Sequence, residues 1–279
     1  EMQSCDWSSD VCSSDLALVT GASSGIGLEF ARVLASKHYN LVIVSNKSDI
    51  KTVSDDLSAE FKIKVIPLIL DLATNGSAEK LYDFCQSHHL EISILINNAG
   101  MLIFDEIDQI PDTSVKKILK LHITTPTILC KKFGTDMKKR GNGHILIMSS
   151  LSAWSSYPGI MLYASTKRYL KDFGKALHYE MKDYGVNVTT ICPGAVNTQL
   201  YQLSDKYRRL ALKLHIMLSP NLVARKSLKK MFRRRVCYLP GVFTKIFRVF
   251  LFITSMNTIQ FIRHHLPFFK RRLHRPPHP

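Results

Sequence analysis

Tyr163 and Lys167 stand four residues apart in Tyr163-Ala164-Ser165-Thr166-Lys167. They fall in a stretch, 162–184, whose apolar periodicity predicts a helix. Positions i and i+4 share one helix face, so the phenol and the ammonium are neighbours. A free phenol titrates near about 10, too high for easy proton exchange at neutral pH. A cation about 5 Å away, at an effective dielectric of about 20, favours the phenolate by roughly 3 kcal/mol, or about two pKa units. Such a pair can deliver a proton to an oxygen that is being reduced. Ser150, thirteen residues before Tyr163 and just past a predicted strand, offers a hydroxyl to hold the same oxygen. Alone, the Y-x-x-x-K spacing is a weak signal, because many exposed helices carry it.

Proton delivery of this kind needs a partner that supplies electrons, and a second motif provides a place for one. Thr20-Gly21-Ala22-Ser23-Ser24-Gly25-Ile26-Gly27 closes the first apolar run and leads into a helix. Glycines there permit a tight turn and close backbone approach, and a helix N-terminus offers open N–H groups to a pyrophosphate. Gly21, Ser23, Ser24, Gly25, Ile26 and Gly27 are therefore candidate dinucleotide contacts. The second apolar run ends in Ser45-Asn46-Lys47. The acidic residue that would bind a ribose 2′-hydroxyl is missing there, and Lys47 can pair with a 2′-phosphate. NADP(H) is expected in preference to NAD(H). Asp71 and Leu72, after the third run, are expected beside the adenine.

The elements that must position these groups alternate. Apolar runs at 16–20, 41–45, 64–70, 92–96, 144–148, 187–191 and 236–239 predict strands. Helical patterns lie between them at 28–36, 77–88, 113–133 and 162–184. Continuous apolar strands between helices signal a parallel sheet covered on both faces. Right-handed crossovers then wind it in both directions. The expected fold is α/β, a Rossmann-like doubly wound parallel sheet of about seven strands.

Over residues 16–200 the chain resembles the short-chain dehydrogenase/reductase family. The matching segments are TGASSGIG at 20–27, Asn97-Asn98-Ala99-Gly100, Ser150, Tyr163, Lys167, and Pro193-Gly194 with Thr198, in the family's order. The resemblance implies that Ser150, Tyr163 and Lys167 are catalytic and that Lys167 also holds the nicotinamide ribose. It implies that Asn98, Ala99 and Gly100 support the cofactor floor, and that Pro193, Gly194, Val196 and Thr198 belong to the loop over the nicotinamide. It further implies carbonyl–alcohol interconversion with NADP(H), and a homodimer or homotetramer. One position departs: the family's fourth catalytic residue is an asparagine, where this chain has His122 in Leu121-His122-Ile123. The family residue helps hold a lysine-linked water partly through its main chain, so His122 is expected to retain that role. The alternative is a non-catalytic NADP(H)-binding regulatory or structural protein, and His122 alone favours it.

Charge divides the chain of 279 residues unevenly. Its net charge is +16, yet residues 206–279 hold 18 Lys and Arg and no acid, leaving the body nearly neutral. Residues 206–218 alternate apolar and basic positions and fall where the family has a substrate lid. Residues 242–262 are strongly apolar but contain Lys245 and Arg248; the uncharged part, 249–262, is too short to span a bilayer. A basic amphipathic C-terminal extension lying on an anionic membrane surface is expected. An apolar or lipid-like carbonyl or alcohol is the expected substrate. Nucleic acid is not an expected partner, since no motif or regular aromatic interleaving is present. The six cysteines form no C-x-x-C pair and read as reduced thiols of a cytoplasmic protein. The Ser/Asp-rich stretch 6–16 also matches one translated frame of a common sequencing adapter. Residues 1–15 are thus expected to be a non-native leader, 16–240 the Rossmann-like domain with a lid at about 199–225, and 241–279 the extension.

Overall fold

The computed structural model describes residues 16–155, 158–198 and 217–254, with isolated positions between 257 and 265. Strands β1 (Leu16–Thr20), β2 (Asn40–Ser45), β3 (Val65–Ile69), β4 (Ile94–Asn97), β5 (Gly143–Met148), β6 (Val186–Ile191) and β7 (Cys237–Tyr238) form one sheet. Its order is β3-β2-β1-β4-β5-β6-β7, and every pair is parallel. The order reverses direction between β1 and β4. That switch point opens a crevice at the carboxyl ends of the strands, where open α/β sheets bind ligands.

Helices cover both faces. In chain order they are α1 (Gly25–Ala35), α2 (Ile50–Phe61), α3 (Ser77–Ser87), α4 (Asp112–Leu119), α5 (Thr125–Arg140), α6 (Met161–Met181), α7 (Pro220–Phe232) and α8 (Val242–Ile253). One layer of core places Leu18, Leu81, Leu129, Phe133 and Ile145 beneath α3, α5 and α6. The other joins Val19, Phe30, Leu34, Ile43 and Leu146 to Ala224, Leu228 and Met231 of α7. Helices α2 and α7 were not among the sequence-predicted elements. In α2 only Ile50, Ser54 and Leu57 are buried, so its apolar stripe is narrow, whereas α7 buries Val223, Ala224, Ser227, Leu228 and Met231 within a basic stretch. The lid expected at 199–225 divides accordingly: 199–216 lies outside the described residues, and from Pro220 the chain is α7, packed on α1.

The predicted single helix 113–133 is broken. A π-turn, Lys120–Thr124, separates α4 from α5. In an α-helix the carbonyl of His122 would accept from the N–H of residue 126, which is Pro126 and has none. The hydrogen-bond register widens there, and Thr125 N bonds to Lys120 O. Such one-turn π-bulges often mark functional sites, and this one is centred on His122.

Candidate active site

Strand ends and one long helix assemble the site. β5 ends at Met148, and Ser149 and Ser150 follow at the crevice. Ser150 caps the short 3₁₀ turn Leu151–Trp154, accepting from Ser152 N at 3.2 Å. Helix α6 carries Tyr163 and Lys167, both buried, on its inner face. Lys167 Nζ lies 5.7 Å from the centroid of the Tyr163 ring, near the separation that the i,i+4 spacing implies. It donates to the Met148 carbonyl at 2.9 Å, and Ser149 Oγ donates to the Lys167 carbonyl at 2.6 Å. β5 and α6 are thus pinned together beside Ser150. Burial in turn pulls the Lys167 ammonium down to about 8, so it stays largely protonated at neutral pH.

His122 joins the same cluster, with no exposure. Its ring meets the Tyr163 ring edge-on at 5.8 Å. Thr166 Oγ1 donates its one proton to the Tyr163 carbonyl at 2.8 Å. The contact of 2.9 Å between that oxygen and His122 Nδ1 therefore makes Nδ1 the donor. On the other side Met101 N donates to His122 Nε2 at 3.0 Å, which requires a lone pair there. Both contacts demand the same neutral tautomer. Desolvation, with Lys167 as a second cause, holds His122 well below the ordinary imidazole range. The ring bridges α6 to the segment after β4 and keeps neither nitrogen for another partner. Thr166 and Ser149 escaped the sequence reading, because a helix hydroxyl bonding locally leaves no pattern.

The dinucleotide cradle is built from glycine conformations and one threonine. Gly21 and Gly25 have φ of +67° and +60°. A Cβ on Gly21 would lie 2.9 Å from Ala99 Cα, and one on Gly27 would collide with the Gly21 carbonyl and the Asn98 side chain. Thr20 Oγ1 donates to Ile96 O and accepts from Asn98 N and Ala99 N. Asn98 Nδ2 donates to Thr20 O at 3.0 Å and Gly21 O at 3.3 Å. The floor 98–100 is thereby locked to the glycine turn. A Cβ on Gly100 would sit 3.0 Å from His122 Nε2 and 3.5 Å from Lys167 Nζ, which ties that floor to the His122–Tyr163–Lys167 cluster. Thr198 reaches the same turn from the other side, since a Cβ on Gly25 would meet it at 3.2 Å. Val196 is buried and bridges to Leu218. Pro193 O accepts from Leu151 N at 2.8 Å, and Gly194 rests on Thr244 of α8.

The residues present fit a nicotinamide dinucleotide. Ser24 caps α1 without a side-chain hydrogen bond, leaving the first-turn N–H groups for a diphosphate. At the end of β2, Ser45 Oγ donates to Ser23 Oγ at 2.9 Å and accepts from Lys47 N at 3.1 Å. The Lys47 side chain beside this corner is exposed. Asp71 instead caps Ala73 N at 2.9 Å and lies 3.7 Å from Lys117. Leu72 is buried, and its carbonyl accepts from Thr125 and Ser77. Geometry thus brings Tyr163, Lys167, His122 and Gly100 together, places Ser150 next to the Ser149–Lys167 bond, and joins the glycine turn to Asn98, Ala99 and Thr198. Lys47 and Asp71 stand at the outer strand ends. Among the described residues no cluster suited to a metal ion occurs.

Residues 15–208 match the family model described as short chain dehydrogenase. The chain belongs to that family. Similar relatives include the very-long-chain 3-oxoacyl-CoA reductase-like protein of Arabidopsis thaliana, 36% identical over 66% of this chain and 60% of that protein. The very-long-chain 3-oxoacyl-CoA reductase of Rattus norvegicus is 30% identical over 67% of this chain and 61% of the relative. The matched stretch spans about three fifths of the length of these relatives. Among solved structures, a short-chain dehydrogenase from Sphingobium yanoikuyae in complex with NADPH superposes with a TM-score of 0.74 at 23% identity, covering 90% of this chain and 96% of that one. A 7beta-hydroxysteroid dehydrogenase gives 0.81 at 18%, again over 90% and 96%. Both likenesses bear on the fold.

Proposed function

We propose that the protein is an NADP(H)-dependent oxidoreductase that interconverts an apolar, lipid-like ketone and its secondary alcohol, with 3-oxoacyl thioesters as the leading substrate class. The observation that carries this reading is the buried Lys167, held between Met148 O, the Tyr163 ring and Gly100. A buried ammonium is costly, and a fold that bore the cost without using the charge would gain by replacing it. A cofactor-binding protein without turnover could also use this charge on the nicotinamide ribose, so it is the company of Tyr163 and Ser150 with Lys167 that favours turnover.

Gly21, Ser23, Ser24, Gly25, Ile26 and Gly27 would hold the diphosphate, Lys47 the 2′-phosphate, and Asp71 and Leu72 the adenine end. Asn98, Ala99 and Gly100 would form the floor, with Pro193, Gly194, Val196 and Thr198 above the nicotinamide. Bound there, the nicotinamide supplies or accepts a hydride. Ser150 Oγ hydrogen-bonds the substrate oxygen. Tyr163 Oη gives that oxygen its proton in reduction and takes it back in oxidation. Lys167 lowers the cost of the resulting phenolate by charge proximity. His122 acts as a positioning residue: its ring fixes Thr166, and through it the Tyr163 turn, against Met101.

The lipid-like assignment has two supports. The relatives' names refer to very-long-chain 3-oxoacyl-CoA reduction. The outer face of α8 also leaves Val242 73%, Ile246 62% and Val249 54% exposed, on a segment without an acidic residue. Its inner face, through Thr244 and Leu251, packs on Gly194 and the turn after Ser150. No helix among the described residues is long and apolar enough to cross a membrane. Helix α8 would therefore lie on an anionic lipid surface next to the site. NADPH oxidation against a panel of 3-oxoacyl thioesters of rising chain length, apolar ketones and polar sugars tests the reading. Turnover rising with chain length supports it, and turnover confined to the sugars overturns the substrate class.

A further inference from the structure

Two cysteines outside the catalytic cluster meet at the far edge of the sheet. Cys192 directly follows β6, and Cys237 lies in β7. Their strands are paired with Thr190 opposite Cys237 and Ile191 opposite Tyr238, and Cys192 N donates to Tyr238 O at 2.9 Å. The two sulfurs are 4.0 Å apart. We propose that Cys237 and Cys192 form a peroxide-responsive dithiol, an exposed attacking thiol and a buried resolving thiol, whose closure to a disulfide slows the enzyme.

Their surroundings divide the roles. Cys237 is exposed, whereas Cys192 is fully buried among Leu151, Leu239, Trp154 and Leu251. A hydrogen bond from Cys192 favours the Cys237 thiolate, and Lys171, Arg248 and Lys175 add positive charge around it; only its partial burial opposes them. Lys171 and Lys175 come from α6 and Arg248 from α8, with Asp172 paired to Lys171 at 3.1 Å. Burial pushes the Cys192 thiol well up, as befits the proton donor of the pair. Low-pKa exposed thiols are the ones that attack peroxides and are oxidised by them. Cys85 and Cys130 provide internal controls: both are buried and pushed up to about 12.

The chemistry balances with hydrogen peroxide as oxidant. The Cys237 thiolate attacks one peroxide oxygen, the O–O bond breaks, and the departing hydroxide takes a proton to become water. Cys237 is then a sulfenic acid, oxidised by two electrons. The Cys192 sulfur attacks it, the S–S bond forms, the S–O bond breaks, and the hydroxyl leaves as water with the Cys192 proton. The sulfurs must close from 4.0 Å to about 2.05 Å. Cys192 precedes Pro193, whose carbonyl anchors Leu151 beside Ser150, and Gly194, which rests on Thr244. Drawing Cys192 toward β7 therefore strains the point where the Ser150 turn and the cofactor-covering loop meet.

The test treats the full chain with low hydrogen peroxide and maps its peptides without reduction. Expected is a linked Cys192–Cys237 pair that dithiothreitol releases, with Cys237 reacting roughly tenfold or more faster than Cys85 or Cys130. In Cys192→Ser, dimedone should trap a sulfenic acid at Cys237, and in Cys237→Ser no linkage should form. Overoxidation of Cys237 in the wild type without the linked pair, or no dimedone adduct in Cys192→Ser, overturns the dithiol. Carbonyl-reducing activity should fall several-fold on closure and return with dithiothreitol. Unchanged turnover in the linked protein overturns the regulatory part. That last arm rests on the reductase reading, whereas the peptide map does not, so the two can fail separately.

Discussion

Acid should destabilise this protein through His122, and His122→Asn should remove that sensitivity. The native ring has no exposure and uses Nδ1 as donor and Nε2 as acceptor. Protonation would place a hydrogen on Nε2 facing the Met101 N–H, two donors head to head across 3.0 Å. Desolvation and Lys167 hold the folded-state pKa well below 6.5. The unfolded imidazole titrates near about 6.5. Between those two values the unfolded chain binds the extra proton. The stabilisation is thus complete at neutral pH and is lost progressively as pH falls from about 6.5 toward the folded-state value. For one such group the loss grows by at most about 1.4 kcal/mol per pH unit across that window. His144 is also pulled down, by burial and then Arg234, so the wild-type pH slope contains both residues. Urea unfolding of wild type and His122→Asn from about pH 7.5 to about pH 5 isolates the His122 share as a difference. The gap between the two curves should change steadily as the pH falls below about 6.5, the wild type losing more. Parallel curves would refute the assignment of a neutral, doubly bonded ring.

Three further outcomes follow from the site. NADPH should bind more tightly than NADH, and Lys47→Glu should reverse the order in calorimetry; equal wild-type affinities would remove the 2′-phosphate assignment. Because burial holds Lys167 at about 8, raising the pH through that value discharges the ammonium, and kcat/KM for carbonyl reduction should fall there; a profile flat across it would take Lys167 out of proton delivery. The protein should sediment with anionic vesicles, less at high salt but not to zero, because each surface cation adds up to about 1 kcal/mol that salt screens. Paired Ile246→Glu and Val249→Glu substitutions on the outer face of α8 should weaken it, most of all at high salt where the cations are screened. Truncation at 242 is the poorer test, since it would strip Thr244 from Gly194. Recovery of all wild-type protein in the supernatant at low salt would end the membrane assignment.

The doubly wound parallel sheet was legible because buried strands read as continuous apolar runs, and because the glycine turn and Tyr163–Lys167 occupy fixed places after particular strands; the strand order came only from the structure. What stayed hidden was set by contacts across the fold. Helix α2 exposes too much of its surface for its stripe to stand out, and α7 lies in a basic stretch that reads as tail until Val223, Ala224 and Leu228 are seen against α1. The break at His122 did leave a signal, Pro126 inside the predicted helix, which removes the donor to the His122 carbonyl four residues back. The tautomer of His122 could not be read at all, because it depends on Thr166 and Met101 meeting one ring from opposite sides. The Cys192–Cys237 approach depends likewise on the β6–β7 register, and the two residues are 45 positions apart in sequence.

The most direct test of the reductase reading is label transfer. NADPH deuterated at the reactive C4 position is incubated with a long-chain 3-oxoacyl thioester and either wild type or Tyr163→Phe. The 3-hydroxy product of the wild type should carry deuterium on the hydroxyl-bearing carbon. Tyr163→Phe should still bind NADPH while forming product at least roughly a hundredfold more slowly, the usual cost of losing a general acid. Label absent from the wild-type product, or Tyr163→Phe turning over at more than about a tenth of the wild-type rate, would contradict the account.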